Sequence, residues 1–277
     1  MRGRWFLASV ASLLAVVTVN VPVRAASPHL PNSMAAAGDS ITRAYDSTWN
    51  GCFLTDCPQY SWSTGNNASV DSQYLRILAM NPRINGHAYN DARTGAAMAD
   101  LDGQLKAAAA QGVQYVTVLM GVNDLCTSSV STMTPTATFK SRLRQALADF
   151  YAADRKAHLY LSSLPNLFQL WSALHTNLVA ESTWTLFDIC QSMLSPTNSD
   201  TQRQQVVAQE QADNNVLATE CAGAVSAAND CRWDNLAGFN FNFPVSDIST
   251  IDFFHPNLAG QNAIAALTWS AGYWPGL

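Results

Sequence analysis

An apolar segment between two glycines constrains the fold of this chain more than any other sequence feature. The segment covers residues 113–120 and lies between Gly112 and Gly121. Continuous apolar runs of this length, rich in β-branched residues, indicate a strand that is buried on both faces. Strands of this kind belong to parallel sheets that helices cover on both sides.

The rest of the chain alternates short apolar strands with amphipathic helices. The further predicted strands are 34–37, which ends at Gly38, 87–92 and 158–163. The predicted helices are 73–80, 98–110, a helix with Thr134 as its cap and Pro135 in its first turn, and a last helix that begins at Pro256. No internal repeat or low-complexity linker separates these segments. The sequence therefore predicts a three-layer α/β fold with a mostly parallel sheet.

The first 25 residues have the pattern of a secretory signal peptide. Two arginines precede an apolar run over residues 5–19, and small residues stand before a cleavage site after Ala25. A membrane anchor is the alternative, but Asn20 ends the run before the roughly 20 apolar residues that a span needs. The sequence predicts a signal peptide over 1–25 and a secreted single domain over 26–277 that does not insert stably into a membrane.

The charge of the exported part limits its partners. The whole chain has 15 basic and 20 acidic residues. Cleavage after Ala25 removes three arginines and no acid, which leaves 12 basic against 20 acidic residues and a net charge of −8. A polyanion would be repelled by this charge, so we expect no nucleic-acid partner.

The cysteines are even in number and all lie in the exported part, which suits disulfides formed in an oxidising compartment. They are Cys52, Cys57, Cys126, Cys190, Cys221 and Cys231. The first two and the last two would close short loops, which leaves the middle two for each other, although the sequence allows other pairings. Zinc is the alternative, but there is no C-x-x-C pair and no two histidines lie three to five residues apart. We therefore expect no metal site.

Three residues have the chemistry of a nucleophile and its base. Ser40 follows the first predicted strand, and Asp252 stands three residues before His255, just ahead of the last predicted helix. A serine hydroxyl is a poor nucleophile until a base takes its proton, and a carboxylate that orients the imidazole improves that base. Taken singly, Ser40 is more typical of a helix cap than of a nucleophile, and His255 is equally typical of a packed histidine.

Two further residues can supply hydrogen-bond donors to an oxyanion. Asn123 follows the central strand, and its amide can point at the same space as Ser40. Gly95 follows the second predicted strand, and its backbone N–H can complete the same group of donors. On its own, Asn123 is typical of a turn and Gly95 of a loop.

In this order, the four segments resemble the sequence blocks of the SGNH (GDSL-type) hydrolase family. The segments are Gly-Asp-Ser at 38–40, Gly95, Gly-Val-Asn-Asp at 121–124 and Asp-x-x-His at 252–255. The region around Asn123 is similar to secreted lipases and phospholipase-B-like members. The resemblance implies a flavodoxin-like α/β/α fold in which Ser40 is the nucleophile and Asp252 and His255 complete the triad. It also implies an oxyanion hole made of Ser40, Gly95 and Asn123.

The resemblance implies a serine esterase or lipase that forms an acyl enzyme and needs no cofactor, acting as a monomer on a small-molecule or lipid ester. Trp49, Trp62, Trp171 and Trp184 can form an aromatic rim that suits an acyl chain. Tryptophans also stack on sugars, so a carbohydrate acetylesterase is the alternative. A glycan or lipid binding module that lost turnover is a further alternative, which reaction with an organophosphonate would distinguish.

Overall fold

A parallel sheet of five strands organises residues 29–226 and 228–277, the part of the chain that the computed structural model describes. The predicted signal peptide lies outside these residues. The strands are β1 (Met34–Gly38), β2 (Ala88–Asn90), β3 (Tyr115–Leu119), β4 (His158–Leu161) and β5 (Asp230–Trp233). Their order is β2-β1-β3-β4-β5, and every neighbouring pair is parallel. The prediction of a mostly parallel sheet is confirmed.

Helices connect the strands and cover both faces of the sheet. In chain order they are α1 (Gln73–Met80), α2 (Leu101–Gln111), α3 (Val122–Leu125), α4 (Thr136–Ala153), α5 (Leu167–Leu174), α6 (Leu178–Leu186), α7 (Gln191–Leu194), α8 (Asp200–Ala224), α9 (Ala237–Asn240) and α10 (Leu258–Ala271). Short 3-10 helices lie at Pro58–Tyr60, Pro82–Ile84, Val130–Thr132 and Val245–Asp247. α4 packs against both α2 and α8.

The alternation of side chains along the strands separates two apolar cores. Ala35 and Val116 belong to a large cluster that includes Phe139 of α4. Met34 and Tyr115, which point the opposite way, belong to a smaller cluster with Trp269 of α10. Successive strand residues face opposite sides of a sheet, so these clusters fill the two spaces between three layers. The predicted three-layer α/β fold is confirmed.

Several element boundaries differ from the predicted ones. α4 begins at Thr136, and Pro135 occupies the N-cap position, so Thr134 lies one residue too early in the chain to cap this helix. The last helix begins at Leu258, where the side chain of Asn257 accepts from two backbone N–H groups. The prediction that this helix starts at Pro256 is therefore wrong by two residues. The prediction for α1, residues 73–80, matches the structure.

Three disulfides cross-link the described residues. They join Cys52 to Cys57, Cys126 to Cys190 and Cys221 to Cys231. The middle pair links the end of α3 to the start of α7, across 64 positions of sequence. Across the two described ranges, no helix combines the length and the apolar character that crossing a membrane would require.

Candidate active site

Ser40 lies just beyond the carboxyl end of β1, at the point where the strand order reverses. The chain goes from β1 to the edge strand β2 and then returns past β1 to β3. The loops after β1 and β3 therefore leave in opposite directions, and a crevice forms between them. Ser40 and Asn123 follow these two strands, so the topology brings both to one crevice.

The turn that carries Ser40 is held by close packing at Gly38. A Cβ at this position would lie 2.6 Å from the carbonyl oxygen of Leu119, so only glycine fits. The buried side chain of Gln104 accepts from the Gly38 N–H at 2.7 Å and donates to its carbonyl at 3.0 Å. Asp39 accepts from the Ile41 N–H at 2.9 Å. These bonds fix the backbone on both sides of Ser40.

His255 and Asp252 come from a tight loop before α10. The Asp252 Oδ1 atom accepts from the backbone N–H groups of Phe254 and His255, at 2.9 and 3.0 Å. Phe253 has a left-handed backbone with φ of +56°, and its carbonyl accepts from the buried indole of Trp184 at 3.1 Å. A strained non-glycine residue persists only where its surroundings hold it, and here the Trp184 contact does so.

The three side chains form a continuous hydrogen-bonded chain. The Nε2 atom of His255 lies 2.7 Å from the Oγ of Ser40, and its Nδ1 bonds to the Oδ2 of Asp252. Tyr45 and Phe254 pack on the imidazole, with ring centroids 5.2 and 5.1 Å away. Both ring nitrogens of His255 are thus engaged and the ring cannot turn. This is the geometry in which an imidazole takes a proton from a serine.

Burial and neighbouring charges shift the pKa values of Asp252 and His255 in opposite directions. Burial disfavours ionised Asp252, but the charge of His255 and three hydrogen bonds outweigh it and hold the pKa of Asp252 below its usual value. Burial also disfavours the cationic imidazole, yet the Asp252 carboxylate, helped by Asp39 and Asp46, raises the pKa of His255. Burial raises the pKa of Asp39 to about 6. The site is therefore built to stabilise an imidazolium.

Asn123 and Gly95 lie on the loops that flank the crevice. The Asn123 amide donates to the carbonyl of Ala96 at 2.8 Å, which couples α3 to the loop after β2. An amide nitrogen carries two hydrogens, and this bond uses one of them. Gly95 is exposed, with φ of +79° and no atom within 4 Å of an added Cβ. Asn123 is thus anchored, whereas Gly95 lies on an open turn.

Asp46 is a further carboxyl group at the site, which the sequence motifs did not indicate. It is fully buried in the loop after β1, and one polar atom each of Asp46, Asp252 and His255 lie within 4.8 Å of one another. Burial, followed by the charge of Asp252, raises the pKa of Asp46 to about 6. Its position depends on a contact between loops that are 200 residues apart, and no local spacing reveals such a contact.

A mostly apolar chamber lies beside the triad. Its wall includes Ile41, Val122 and Phe254, which are the sequence neighbours of Ser40, Asn123 and His255. Leu170 and Ala173 of α5 also line the chamber. The ring of Phe254 contacts both the chamber and the His255 imidazole. Apolar concave sites of this kind are where small molecules usually bind, so the chamber is a candidate site for an apolar group.

The tryptophans that were expected at the rim are divided between core and surface. Trp62 and Trp184 are fully buried, so they line no rim. Trp171 is half-buried and lies under the Arg203 guanidinium. Trp49 is 62% exposed, stacks on Phe53 and donates from its indole to Thr250 Oγ1 at 3.0 Å. Trp49 therefore presents an open aromatic face next to the loop of Asp252 and His255.

A second histidine–aspartate pair, His158 with Asp230, differs from the Asp252–His255 pair in its surroundings. The Nδ1 of His158 lies 2.6 Å from Asp230 Oδ2, at the first residues of β4 and β5. This is the amino edge of the sheet, opposite to Ser40. The ring of His158 packs on Tyr273 rather than on a serine. Of the two pairs, only the one at 252–255 contacts a serine hydroxyl.

A family model matches most of the chain. The model is described as GDSL-like lipase/acylhydrolase, and it matches residues 34–268, from β1 into α10. The match thus spans Ser40, Gly95, Asn123, Asp252 and His255. No curated protein sequence matches the chain.

Solved structures of esterases and lipases are similar to this chain at low sequence identity. A protein described as a GDSL-like lipase from Parabacteroides merdae is 15% identical, with 86% of this chain and 94% of that chain covered and a TM-score of 0.53. The esterase EstA from Pseudoalteromonas sp. is 13% identical, with 87% and 96% covered and a TM-score of 0.47. An extracellular lipase from Streptomyces rimosus is 16% identical, with 87% and 99% covered and a TM-score of 0.44. At these identities the similarity concerns the fold alone.

Proposed function

The chain belongs to the GDSL-like lipase/acylhydrolase family of ester hydrolases, and on this premise we propose that it is a secreted serine esterase that cleaves carboxylic esters with an apolar acyl chain. The observation that carries the proposal is the 2.7 Å contact between His255 Nε2 and Ser40 Oγ, backed by Asp252 at Nδ1. Such a contact activates a hydroxyl that is otherwise a poor nucleophile.

In the first half of the reaction, Ser40 Oγ attacks the ester carbonyl as its proton moves to His255 Nε2. Asp252 stabilises the resulting imidazolium through Nδ1. The negative charge on the former carbonyl oxygen would be held by N–H groups of Ser40, Gly95 and Asn123. A preorganised donor of this kind contributes a factor of roughly 100 to 1,000 in rate. The imidazolium then protonates the leaving alcohol, and an acyl enzyme remains.

In the second half, water repeats the cycle on the acyl enzyme. His255 takes a proton from the water, the hydroxide attacks the acyl carbonyl, and the proton returns to Ser40 as the carboxylic acid leaves. The buried carboxyl groups around His255 favour its cationic form at each step. Apart from the water molecule, the proposed steps use only side chains and backbone N–H groups of this protein.

The apolar lining of the chamber beside the triad favours a substrate that has an apolar acyl chain. Ile41, Val122 and Phe254 place apolar surface next to three residues of the site, and α5 extends that surface outward. Burial of each methylene group stabilises a bound chain by about 0.8 kcal/mol. We therefore expect chain-length preference rather than a strict acetyl specificity.

Three disulfides support the proposal of secretion, together with the signal-peptide pattern of residues 1–25. Disulfides persist in oxidising compartments and are rare in the reducing cytosol. Detection of a mature chain that begins at Ala26 in a culture medium would test both expectations.

The function is tested by initial rates on p-nitrophenyl acetate, butyrate, octanoate and palmitate. Wild type should show rates that increase from acetate to the longer esters, and Ser40→Ala should lose turnover while its circular dichroism stays unchanged. Ser270→Ala, an exposed serine on α10, is the matched control and should keep full activity. Near-normal turnover by Ser40→Ala would end the serine-esterase proposal.

Trp49 favours a carbohydrate acetylesterase as the second candidate. Its exposed ring, stacked on Phe53 next to the catalytic loop, is suited to stacking on a sugar. Release of acetate from acetylated xylan, compared with release of fatty acid from phosphatidylcholine, separates the candidates. Activity confined to acetyl esters and xylan, and lost in Trp49→Ala, would favour the carbohydrate esterase.

A further inference from the structure

The turn that carries Gly95 is fixed at its ends but not at its tip. The Ala96 N–H donates to the Arg93 carbonyl at 3.0 Å and closes a β-turn. One end is tied to β1, because the Arg93 N–H donates to the Gly38 carbonyl at 3.1 Å. The other end is tied to Asn123, whose amide donates to the Ala96 carbonyl at 2.8 Å. Gly95 itself is exposed, and no atom lies within 4 Å of an added Cβ, so packing does not hold the tip.

The direction of the Gly95 N–H depends on the type of this turn. Gly95 is the third residue of the turn and has φ of +79°, whereas Thr94, the second residue, is not left-handed. This combination defines a type II turn. In a type I turn, the peptide between Thr94 and Gly95 is rotated by roughly half a turn, so the N–H points to the opposite side. Glycine accepts both conformations, and a contact that fixes Thr94 therefore fixes the direction of this N–H.

Asp56 supplies such a contact. Its Oδ1 atom accepts from the hydroxyl of Thr94, and this is the one hydrogen bond that Thr94 or Gly95 makes with the described residues. Its Oδ2 atom accepts from the Nε of Arg43 at 3.0 Å. Arg43 lies on the turn that follows Ser40. One carboxylate thus connects the turn that carries Ser40 with the turn that carries Gly95.

A short disulfide loop holds Asp56 beside these turns. The disulfide joins Cys52 to Cys57, and both cysteines are buried. Asp56 directly precedes Cys57, whose N–H donates to the Arg43 carbonyl at 3.0 Å. The Asp56 carboxylate is half-buried, and a hydrogen bond to a charged acceptor is roughly twice as strong as one between neutral groups. The contact with Thr94 is therefore well anchored.

We propose that Asp56 is a positioning residue that directs the Gly95 N–H into the oxyanion hole by holding Thr94. The inference rests on the proposed function, in which this N–H stabilises the negative charge on the former carbonyl oxygen. Asp56 acts through Thr94 rather than on the substrate. A donor that points away from the oxyanion slows the chemical step, whereas the chamber still binds the acyl chain. Loss of the Asp56–Thr94 contact should therefore lower kcat and leave KM nearly unchanged.

The decisive variant is Thr94→Val, which keeps the shape of the side chain, removes the hydroxyl and leaves the Asp56–Arg43 pair in place. We expect kcat on p-nitrophenyl butyrate to fall by roughly 10- to 100-fold, with KM within about threefold of wild type, because one misdirected oxyanion donor is lost for part of the time. Thr94→Ser keeps the hydroxyl and should recover kcat to within about threefold of wild type. Thr201→Val changes an exposed threonine of α8 and is the matched control.

A double-mutant cycle tests whether Asp56 acts through Thr94. Asp56→Ala should lower kcat about as much as Thr94→Val, and Asp56→Ala/Thr94→Val should be no slower than Asp56→Ala alone, because both changes remove the same contact. Asp71→Ala breaks a surface ion pair with Arg76 and should keep the wild-type kcat. Losses that multiply in the double variant would contradict the route through Thr94. If Asp56→Ala does not fold, the Thr94 variants decide the question.

Calorimetric binding of butylboronic acid measures the oxyanion hole without turnover, because its boron bonds to a serine oxygen and forms a tetrahedral adduct that resembles the transition state. The Kd should rise in Thr94→Val by about the factor by which kcat/KM falls, and return towards the wild-type value in Thr94→Ser. An unchanged kcat and Kd in Thr94→Val, or an equal loss in Thr94→Ser, would overturn the proposal. Failure of the esterase function would instead appear as turnover that persists in Ser40→Ala, and it would remove both proposals.

Discussion

At the scale of single residues, the triad divides its work unequally. In the proposed mechanism, His255 accepts and returns a proton, whereas Asp252 orients the ring and stabilises its charge. We expect His255→Ala to lower kcat by roughly 10⁶-fold and Asp252→Asn by roughly 10⁴-fold. Single-turnover kinetics on p-nitrophenyl butyrate measure both losses. An Asp252→Asn variant as inactive as His255→Ala would show that the carboxylate does more than orient the ring.

The raised pKa of His255 predicts where activity is lost in acid. Only the neutral imidazole accepts the serine proton. A folded pKa above the usual value of about 6.5 means that His255 becomes protonated, and kcat/KM falls, as the pH drops through a value above 6.5. Initial rates between pH 4 and 9 locate this limb. A profile that stays flat down to pH 4 would contradict His255 as the base.

The motifs predicted the chemistry of the site better than its surroundings. The sequence predicted that Ser40, Asp252 and His255 meet because each stands in a short local motif, and hydrogen bonds connect the three side chains in the structure. The prediction for Gly95 rested on a single glycine in a loop. In the structure, no atom lies within 4 Å of a Cβ added at this position. Asp46 and Gln104 could not be identified, because each acts on a residue far away in sequence.

At the scale of elements, α5 lines part of the chamber beside the triad. Leu170 and Ala173 lie on one face of this helix and line the chamber, whereas Ser172 points elsewhere. Ala173→Trp should lower kcat/KM for the octanoate ester by roughly tenfold relative to acetate, since a few displaced methylene groups are worth that much. Ser172→Trp is the matched control and should keep the wild-type ratio. An equal loss on acetate and octanoate would contradict the assignment of this chamber to the acyl chain.

The sequence predicted the elements around the site but not the segment between β4 and α10. β1, β3 and α4 carry uninterrupted apolar patterns and were identified within about two residues. α8 escaped prediction because its buried face includes Glu210, Asp213 and Asn214, which break the apolar periodicity. Glu210 and Asn214 accept from the backbone of the loop after β4. A helix whose buried side serves to hydrogen-bond a loop does not have the pattern of an apolar core helix.

At the scale of the whole molecule, each disulfide should stabilise the folded protein according to the length of the loop that it closes. Cys126–Cys190 spans 64 positions and Cys52–Cys57 spans 5. A disulfide lowers the conformational entropy of the unfolded chain, and this effect grows with the length of the loop that it closes. The bond that closes the long loop should add about 4 kcal/mol to the free energy of unfolding, and the bond that closes the short loop about 2 kcal/mol. Denaturant unfolding of Cys126→Ser/Cys190→Ser and of Cys52→Ser/Cys57→Ser should show this order. The reverse order would mean that local strain or denatured-state structure dominates.

The proposed mechanism requires that Ser40 acts as a nucleophile and becomes acylated. The most direct measurement is intact mass and peptide mapping after reaction with a p-nitrophenyl alkylphosphonate, for wild type and Ser40→Ala. We predict one phosphonyl group per chain, on Ser40, with release of one equivalent of nitrophenol and complete loss of esterase activity. Ser40→Ala should remain unmodified. Modification at another residue, or none in an enzyme that cleaves esters, would contradict the proposed mechanism.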